Sequence, residues 1–294
     1  MGDKSAIEWT DATWNPVTGC DRVSPGCAHC YALELAPKLR RFARARGTGR
    51  WLHVRDGGRT SGPAFGVTLH PGVLDQPLRW RRPRRVFVNS MSDLFHEQIP
   101  EAYIERVFGV MARAPRHTFQ VLTKRPERMA DVVPRIYESL GRVLKEPAML
   151  PLPNVWLGVT IENRRYVDRA DLLRETPAAV RFISAEPLLG PLVAPDARAD
   201  GRTGRLEAYW PGCCQGDDLD LAGIDWLIVG GESGAGHRPM KAAWAHDLRF
   251  SAQEAGVAFF FKQWGGRQPK SGGRDLDGRT WDEFPAREAV LAHD

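Results

Sequence analysis

The chain has no apolar run approaching the ~20 residues that a membrane-spanning helix needs, so a membrane protein is not expected. Its first ten residues, Met1 to Thr10, lack the apolar core of a secretory signal, which predicts a cytoplasmic protein whose thiols stay reduced. Cysteine is scarce, five in 294 residues, and disulfides are not expected. Internal repeats and low-complexity tracts are also missing. There is no Walker-type phosphate loop and no Ser-His-Asp pattern, and neither His96 nor His117 stands in a catalytic arrangement. Hydrolase and nucleoside-triphosphatase chemistry are therefore poor readings.

What is present is a globular composition, 43% hydrophobic and 26% charged, with a formal net charge of +5. The positive excess comes in bursts, Arg40, Arg41, Arg44, Arg46 and Arg50, then Arg79, Arg81, Arg82, Arg84 and Arg85, with Trp51 and Trp80 nearby. Clustered arginine beside aromatics suits a polyanionic partner such as nucleic acid, although charge runs are also what solvated faces look like.

Short apolar segments alternate with helical patterns, which is the rhythm of an α/β fold. Strands are expected at Phe65–Leu69, Arg85–Asn89, Thr118–Thr123, Val155–Thr160, Val180–Ser184, Trp226–Gly230 and Ala258–Lys262, with an eighth at Ile7–Thr10. Most are continuous apolar runs, as in parallel strands covered on both faces. Helical stripes follow, Ile104 to Met111, Met129 to Leu140 and Ala243 to Ala255, and a further helix runs from Tyr31 to Arg44. The expected fold is α/β, one (β/α) barrel of TIM type or a partial barrel over residues 1–294. An irregular insertion at about 190–222 carries Cys213 and Cys214.

Six successive strand ends carry polar groups: Asn89 to Asp93, Thr123 to Arg125, Thr160 to Asn163, Ser184 to Glu186, Gly230 to Ser233 and Lys262 to Trp264. Barrels of this type build active sites at the C-terminal ends of their strands, so these residues read as one functional face, against the plain alternative of polar strand caps.

Cys20, Cys27 and Cys30 stand within eleven residues as C-x6-C-x2-C, in a loop whose Gly19, Pro25 and Gly26 can fold the chain back. Thiolates are soft ligands that suit iron-sulfur clusters and zinc. A structural zinc site needs a fourth ligand, from His29 or from Cys213 and Cys214. A 4Fe-4S cluster on three cysteines leaves one iron open for a cofactor, which is the logic of radical S-adenosylmethionine (SAM) chemistry.

At this point the sequence resembles the phage Gp37/Gp68-type family of unknown function. The resemblance is carried by Trp14 to Tyr31, Pro77 to Arg81, Val86 to His96, Leu122 to Arg125, Gly158 to Thr160, Ser184 to Leu188, Gly230 to Gly234 and Phe260 to Gly265, nearly the whole chain. It implies a radical-SAM-like barrel with a three-cysteine site. The usual radical SAM spacing is C-x3-C-x2-C, and this chain keeps the last step with a longer first interval. The resemblance implies that the cluster chelates SAM and passes it one electron, giving a 5'-deoxyadenosyl radical that modifies or repairs a substrate. The net positive charge and the Arg/Trp segments point to a nucleic acid or nucleotide-like substrate, with a peptide as the alternative, and an electron donor such as flavodoxin or ferredoxin is expected. Cofactor contacts are expected from Ser90, Asp93, Glu162, Ser184 and Glu186, with Gly230, Gly231 and Glu232 resembling the amino-binding Gly-Gly-Glu of such enzymes. Lys124, Arg125, Lys262 and Trp264 are candidates for a substrate phosphate or base, or else surface caps and a core plug. The rival readings are a zinc-stabilised nucleic-acid-binding protein without catalysis, and a barrel enzyme whose cluster is structural or transfers electrons.

Overall fold

A computed structural model describes residues 5–58, 61–143, 150–193 and 218–286. Cys213, Cys214 and most of the expected insertion lie outside these residues. Among the described residues no helix is long and apolar enough to cross a membrane.

Among the described residues there are nine strands: β1 (Ala12–Trp14), β2 (Val17–Thr18), β3 (Thr68–Leu69), β4 (Arg85–Val88), β5 (Thr118–Thr123), β6 (Val155–Thr160), β7 (Val180–Ala185), β8 (Trp226–Gly230) and β9 (Ala258–Gln263). Seven of them form one sheet in the order β1-β4-β5-β6-β7-β8-β9. The pairings β1–β4, β4–β5, β7–β8 and β8–β9 are parallel. Sheet order and chain order coincide, so right-handed crossovers all return on one side, as in a β/α barrel and unlike a doubly wound sheet. β1 and β9 stand at the two ends of the order, so the sheet takes the open, partial-barrel form of the expected fold.

Six of the eight expected strands lie where the apolar runs place them, and two differ. Ile7–Thr10 is not a strand. The first strand is Ala12–Trp14, in register with Val86–Val88, while Trp9 is a buried plug with its ring centroid 4.7 Å from that of Phe87. Of Phe65–Leu69 only Thr68–Leu69 pairs, antiparallel with Val17–Thr18 in a separate two-stranded ribbon. Phe65 is instead buried beside Ala32, Ala36 and Met91.

Two compact units divide the chain, the first Met1–Gly158 with Glu175–Val180, the second Val159–Arg174 with Arg181–His293. In the first, α1 (Tyr31–Arg46) buries Ala32, Ala36 and Ala43 and ends at Gly47, whose φ of 65° lets its N–H reach the carbonyls of Ala43 and Arg44. Helices α2 (Glu101–Ala112) and α3 (Pro126–Val143) bury their predicted stripes, Ile104, Val107, Phe108 and Met111 on one, Met129 to Leu140 on the other. Arg135 ties their outer faces, bonding Glu101 and Asp131.

The second unit holds α4 (Arg169–Glu175) and α5 (Ala242–Glu254). It is built around Trp226, whose ring centroid lies 5.8 Å from Phe182, 6.0 Å from Phe260 and 5.1 Å from Phe284, with its Nε1 donating to Glu283 O at 2.8 Å. Burying a ring of that size takes roughly 200 Å² out of water, about 5 kcal/mol of transfer free energy.

Candidate metal centre

The three cysteines lie in the loop between β1 and α1, and each is held differently. Gly19 pairs its backbone with Ser92, donates to Met91 O at 2.9 Å and has φ +92°. A Cβ there would fall 2.3 Å from Gly66 O, so only glycine fits. Cys20 follows, its N–H on Phe65 O at 3.2 Å. Cys27 ends a one-turn 3-10 segment, Pro25–Cys27, with Ser24 Oγ 3.9 Å from its sulfur. Cys30 is the N-cap of α1. Cys20 and Cys30 pack against the same apolar cluster, Ala32, Ala36, Phe65 and Met91. All three thiols are free and half-buried.

A second layer surrounds Cys20. Arg125, just past β5, donates from Nη1 to Cys20 Sγ at 3.4 Å and to Asp93 Oδ2 at 3.2 Å, and from Nη2 to Asp21 O at 3.3 Å. Asp93 also accepts from the Thr123 hydroxyl at 2.7 Å and from the backbone N–H groups of Lys124 and Phe95, both at 3.0 Å. Burial pushes the Cys20 thiol up to about 12; the Asp93 charge adds to this and Arg125 opposes it. Left alone Cys20 is a thiol, and a bound metal would displace its proton.

Asp21 accepts from Ser61 Oγ and lies 3.0 Å from His96 Nε2. Burial, with help from the Arg125 charge, holds the His96 imidazole below its ordinary value against the pull of Asp21. Among the described residues the one set of three or more His, Cys, Asp or Glu ligand atoms within 4.8 Å of one another is Asp21, His96 and Glu97. It is not built for an ion. His96 Nδ1 accepts the Gln98 N–H at 3.1 Å, so the proton of the neutral ring is on Nε2, which donates to Asp21 and offers no lone pair.

The same measure bears on the cysteines. Zn–S bonds of about 2.3 Å hold the sulfurs of one zinc within about 4.6 Å of each other. The three cysteine sulfurs do not form such a set. A cubane cluster takes each thiolate on a different iron and accommodates wider spacing. Three thiols in one loop, one of them hydrogen-bonded by a half-buried guanidinium, would suit a 4Fe-4S cluster.

The other predicted site residues lie at or just after the ends of their strands, most of them with partners inside the chain. Ser90 Oγ lies 3.2 Å from the Asn15 amide and its carbonyl accepts the Tyr31 hydroxyl. Lys124 gives its backbone N–H to Asp93. In the second unit, fully buried Glu162 accepts from Arg169 Nη1 at 3.2 Å. Ser184 is buried, its carbonyl accepting from Ile161 N at 3.1 Å. Glu186 pairs with Lys262 Nζ, which brings together two residues the sequence assigns to different roles. Glu232 is buried and clamped by Arg238, with Nε at 2.9 Å and backbone N–H at 2.8 Å. Gly230 and Gly231 leave room for neighbours: a Cβ on Gly231 would fall 2.0 Å from Trp264 O. Trp264 is itself pinned, Nε1 on Asp275 O at 2.6 Å and its ring 4.8 Å from Phe261, closer to a structural plug than to a free stacking platform.

Sequence reading gave no site role to Asp21 or His96, and placed Thr123 only among the polar strand ends. Asp21 adjoins Cys20, the one available signal; the others are brought in only by the fold.

A family model described as a protein of unknown function, DUF5131, matches residues 4–285. The chain belongs to the DUF5131 family. No curated protein matches it. Among solved structures, a cysteine-to-serine mutant of spore photoproduct lyase aligns with this DUF5131 protein at a TM-score of 0.40 and 12% identity. That alignment covers 86% of this chain and 63% of the lyase chain, so the DUF5131 chain spans less than two thirds of that protein.

Proposed function

We propose that this DUF5131 protein carries a 4Fe-4S cluster on Cys20, Cys27 and Cys30 and is a radical SAM-type enzyme acting on a nucleic acid or nucleotide-like substrate. The observation that carries the reading is the placement of three free thiols in one loop after the first strand of a parallel, singly wound sheet, spaced more widely than one zinc ion requires. The resemblance to the phage Gp37/Gp68-type family points the same way.

When bound, such a cluster supplies one electron to the sulfonium of SAM, and a C–S bond breaks to give a carbon radical. The chain's own part is to hold and position. Gly19 and Gly66 fix the Cys20 backbone, and Arg125 with Asp93 sets the charge beside its sulfur. For the substrate, α1 exposes Lys38, Arg41, Phe42 and Ala45 on one face at i, i+3, i+4 and i+7 spacing, with Arg46 stacked 4.2 Å over the Phe42 ring. Cations around an exposed aromatic suit phosphates and an unpaired base.

The test is anaerobic purification with iron, sulfide and zinc counted per chain, and electron paramagnetic resonance after reduction, before and after SAM. About four irons per chain and a spectrum that changes with SAM support the proposal. Zinc without iron would replace it with a zinc-stabilised binding protein, and a reducible cluster indifferent to SAM with a structural or electron-transfer centre.

A further inference from the structure

We infer that Arg125 sets the reduction potential of the cluster proposed for Cys20, Cys27 and Cys30, an inference that rests on that reading. Three contacts hold the guanidinium and a fourth fixes the backbone behind it. Nη1 donates to both Cys20 Sγ and Asp93 Oδ2, Nη2 reaches Asp21 O, and the backbone N–H of Arg125 donates to Thr123 Oγ1 at 2.9 Å. Its side chain is only 14% exposed and that of Asp93 8%, so water screens neither charge well.

Hydrogen bonds to ligating sulfurs, nearby charge and solvent exposure are what a protein uses to set iron-sulfur potentials. Reduction of a 4Fe-4S centre from the 2+ to the 1+ state adds one electron from an external one-electron reductant, with no bond made or broken and no proton moved. The extra negative charge is shared with the thiolates. A fixed cation donating to one of those sulfurs therefore stabilises the reduced form more than the oxidised form and raises the potential. Asp93 acts in the opposite sense. Three donors other than Arg125, from Thr123, Lys124 and Phe95, hold its carboxylate in place when Arg125 is changed. Arg125 is a positioning and tuning residue in this reading and touches no substrate.

The experiment is a redox titration with dithionite as reductant, followed by electron paramagnetic resonance, on anaerobic wild-type protein, R125M, R125K and D93N, each with iron counted. R125M is expected to lower the midpoint at least tenfold in the reduced-to-oxidised ratio at a fixed potential, which is about 59 mV for a one-electron couple. R125K, which keeps the charge and loses the fork, should fall less, and D93N should rise. Unchanged potentials at full iron content overturn the inference while leaving the cluster intact, whereas iron-free wild-type protein overturns the cluster reading itself. If R125M alone loses iron, the opposite shifts of R125K and D93N decide the matter. Loss of iron from all three variants overturns the inference, because the residues would then build the site and not tune it.

Discussion

Lys262 and Glu186 form a hydrogen-bonded ion pair across β8, one partner on β9 and the other just past β7, each side chain 18% exposed. Gly230 at the end of β8 makes room for it, since a Cβ there would lie 3.3 Å from the Glu186 carboxyl carbon and 3.4 Å from Lys262 Cβ. Removing one partner leaves a half-buried charge alone, so K262M should cost about 1–3 kcal/mol, and the double variant K262M/E186Q should recover part of that loss. Equilibrium denaturation of the three variants measures the coupling directly. Strictly additive losses would mean that the pair contributes nothing.

Gly19 is the position where the cysteine loop depends on a missing side chain. A residue other than glycine at φ +92° costs about 1–3 kcal/mol in strain, and the Cβ collides with the Gly66 carbonyl, backbone that cannot swing away. G19A is expected to lose most of its iron. Gly47 is the control. It caps α1 at φ 65° with nothing within 4 Å of an added Cβ, so G47A should cost about 1 kcal/mol and keep its iron. Equal iron in the two variants contradicts the loop's assigned role.

These positions also show how far the sequence alone reaches. Val155–Thr160 and Trp226–Gly230 are buried at every residue, so their runs announce parallel strands directly, and the stripe from Met129 to Leu140 announces α3. The grouping of Cys20, Cys27 and Cys30 is visible for a similar reason, because the three are neighbours in the chain. Ile7–Thr10 misleads because a tryptophan that plugs the sheet edge looks like a strand residue. Phe65 misleads because its apolarity serves the α1 cluster and not a ladder. The polar scaffold is illegible in principle: Arg125 meets Cys20 across 105 residues, His96 meets Asp21 across 75 and Lys262 meets Glu186 across 76, and no periodicity encodes such pairs.

His70 gives the protein an acid sensitivity of its own. Its Nε2 lies 2.8 Å from Thr18 Oγ1, and burial, aided by the Arg50 charge, pushes the imidazole down to about 4. A folded value below the unfolded 6.5 means that the unfolded chain takes up the proton first. The stabilisation is complete above pH 6.5 and disappears as pH falls toward 4. Allowing for solvent screening, this amounts to on the order of 2 kcal/mol. H70N cannot titrate. Denaturation midpoints taken from neutral pH down to the acid side of that window should fall more steeply for wild type than for H70N, and parallel slopes would show that His70 stays solvated.

The exposed face of α1 makes a quantitative prediction about nucleic acid. If Lys38, Arg41 and Arg44 contact phosphates, each of them releases bound counterions, and the logarithm of the affinity for a single-stranded oligonucleotide falls linearly with the logarithm of salt. R41A and R44A should each reduce that slope by about 0.7. Phe42, 56% exposed beneath the Arg46 guanidinium, would act by stacking. Stacking releases no ions, so F42A should weaken binding by about 1–3 kcal/mol and leave the slope unchanged. Fluorescence anisotropy with a labelled oligonucleotide across a salt series separates the two effects. A slope that changes in F42A, or does not change in the arginine variants, removes α1 from the interface. Affinity without salt dependence in the wild-type protein removes nucleic acid from the proposed function and leaves a nucleotide-like or peptide substrate.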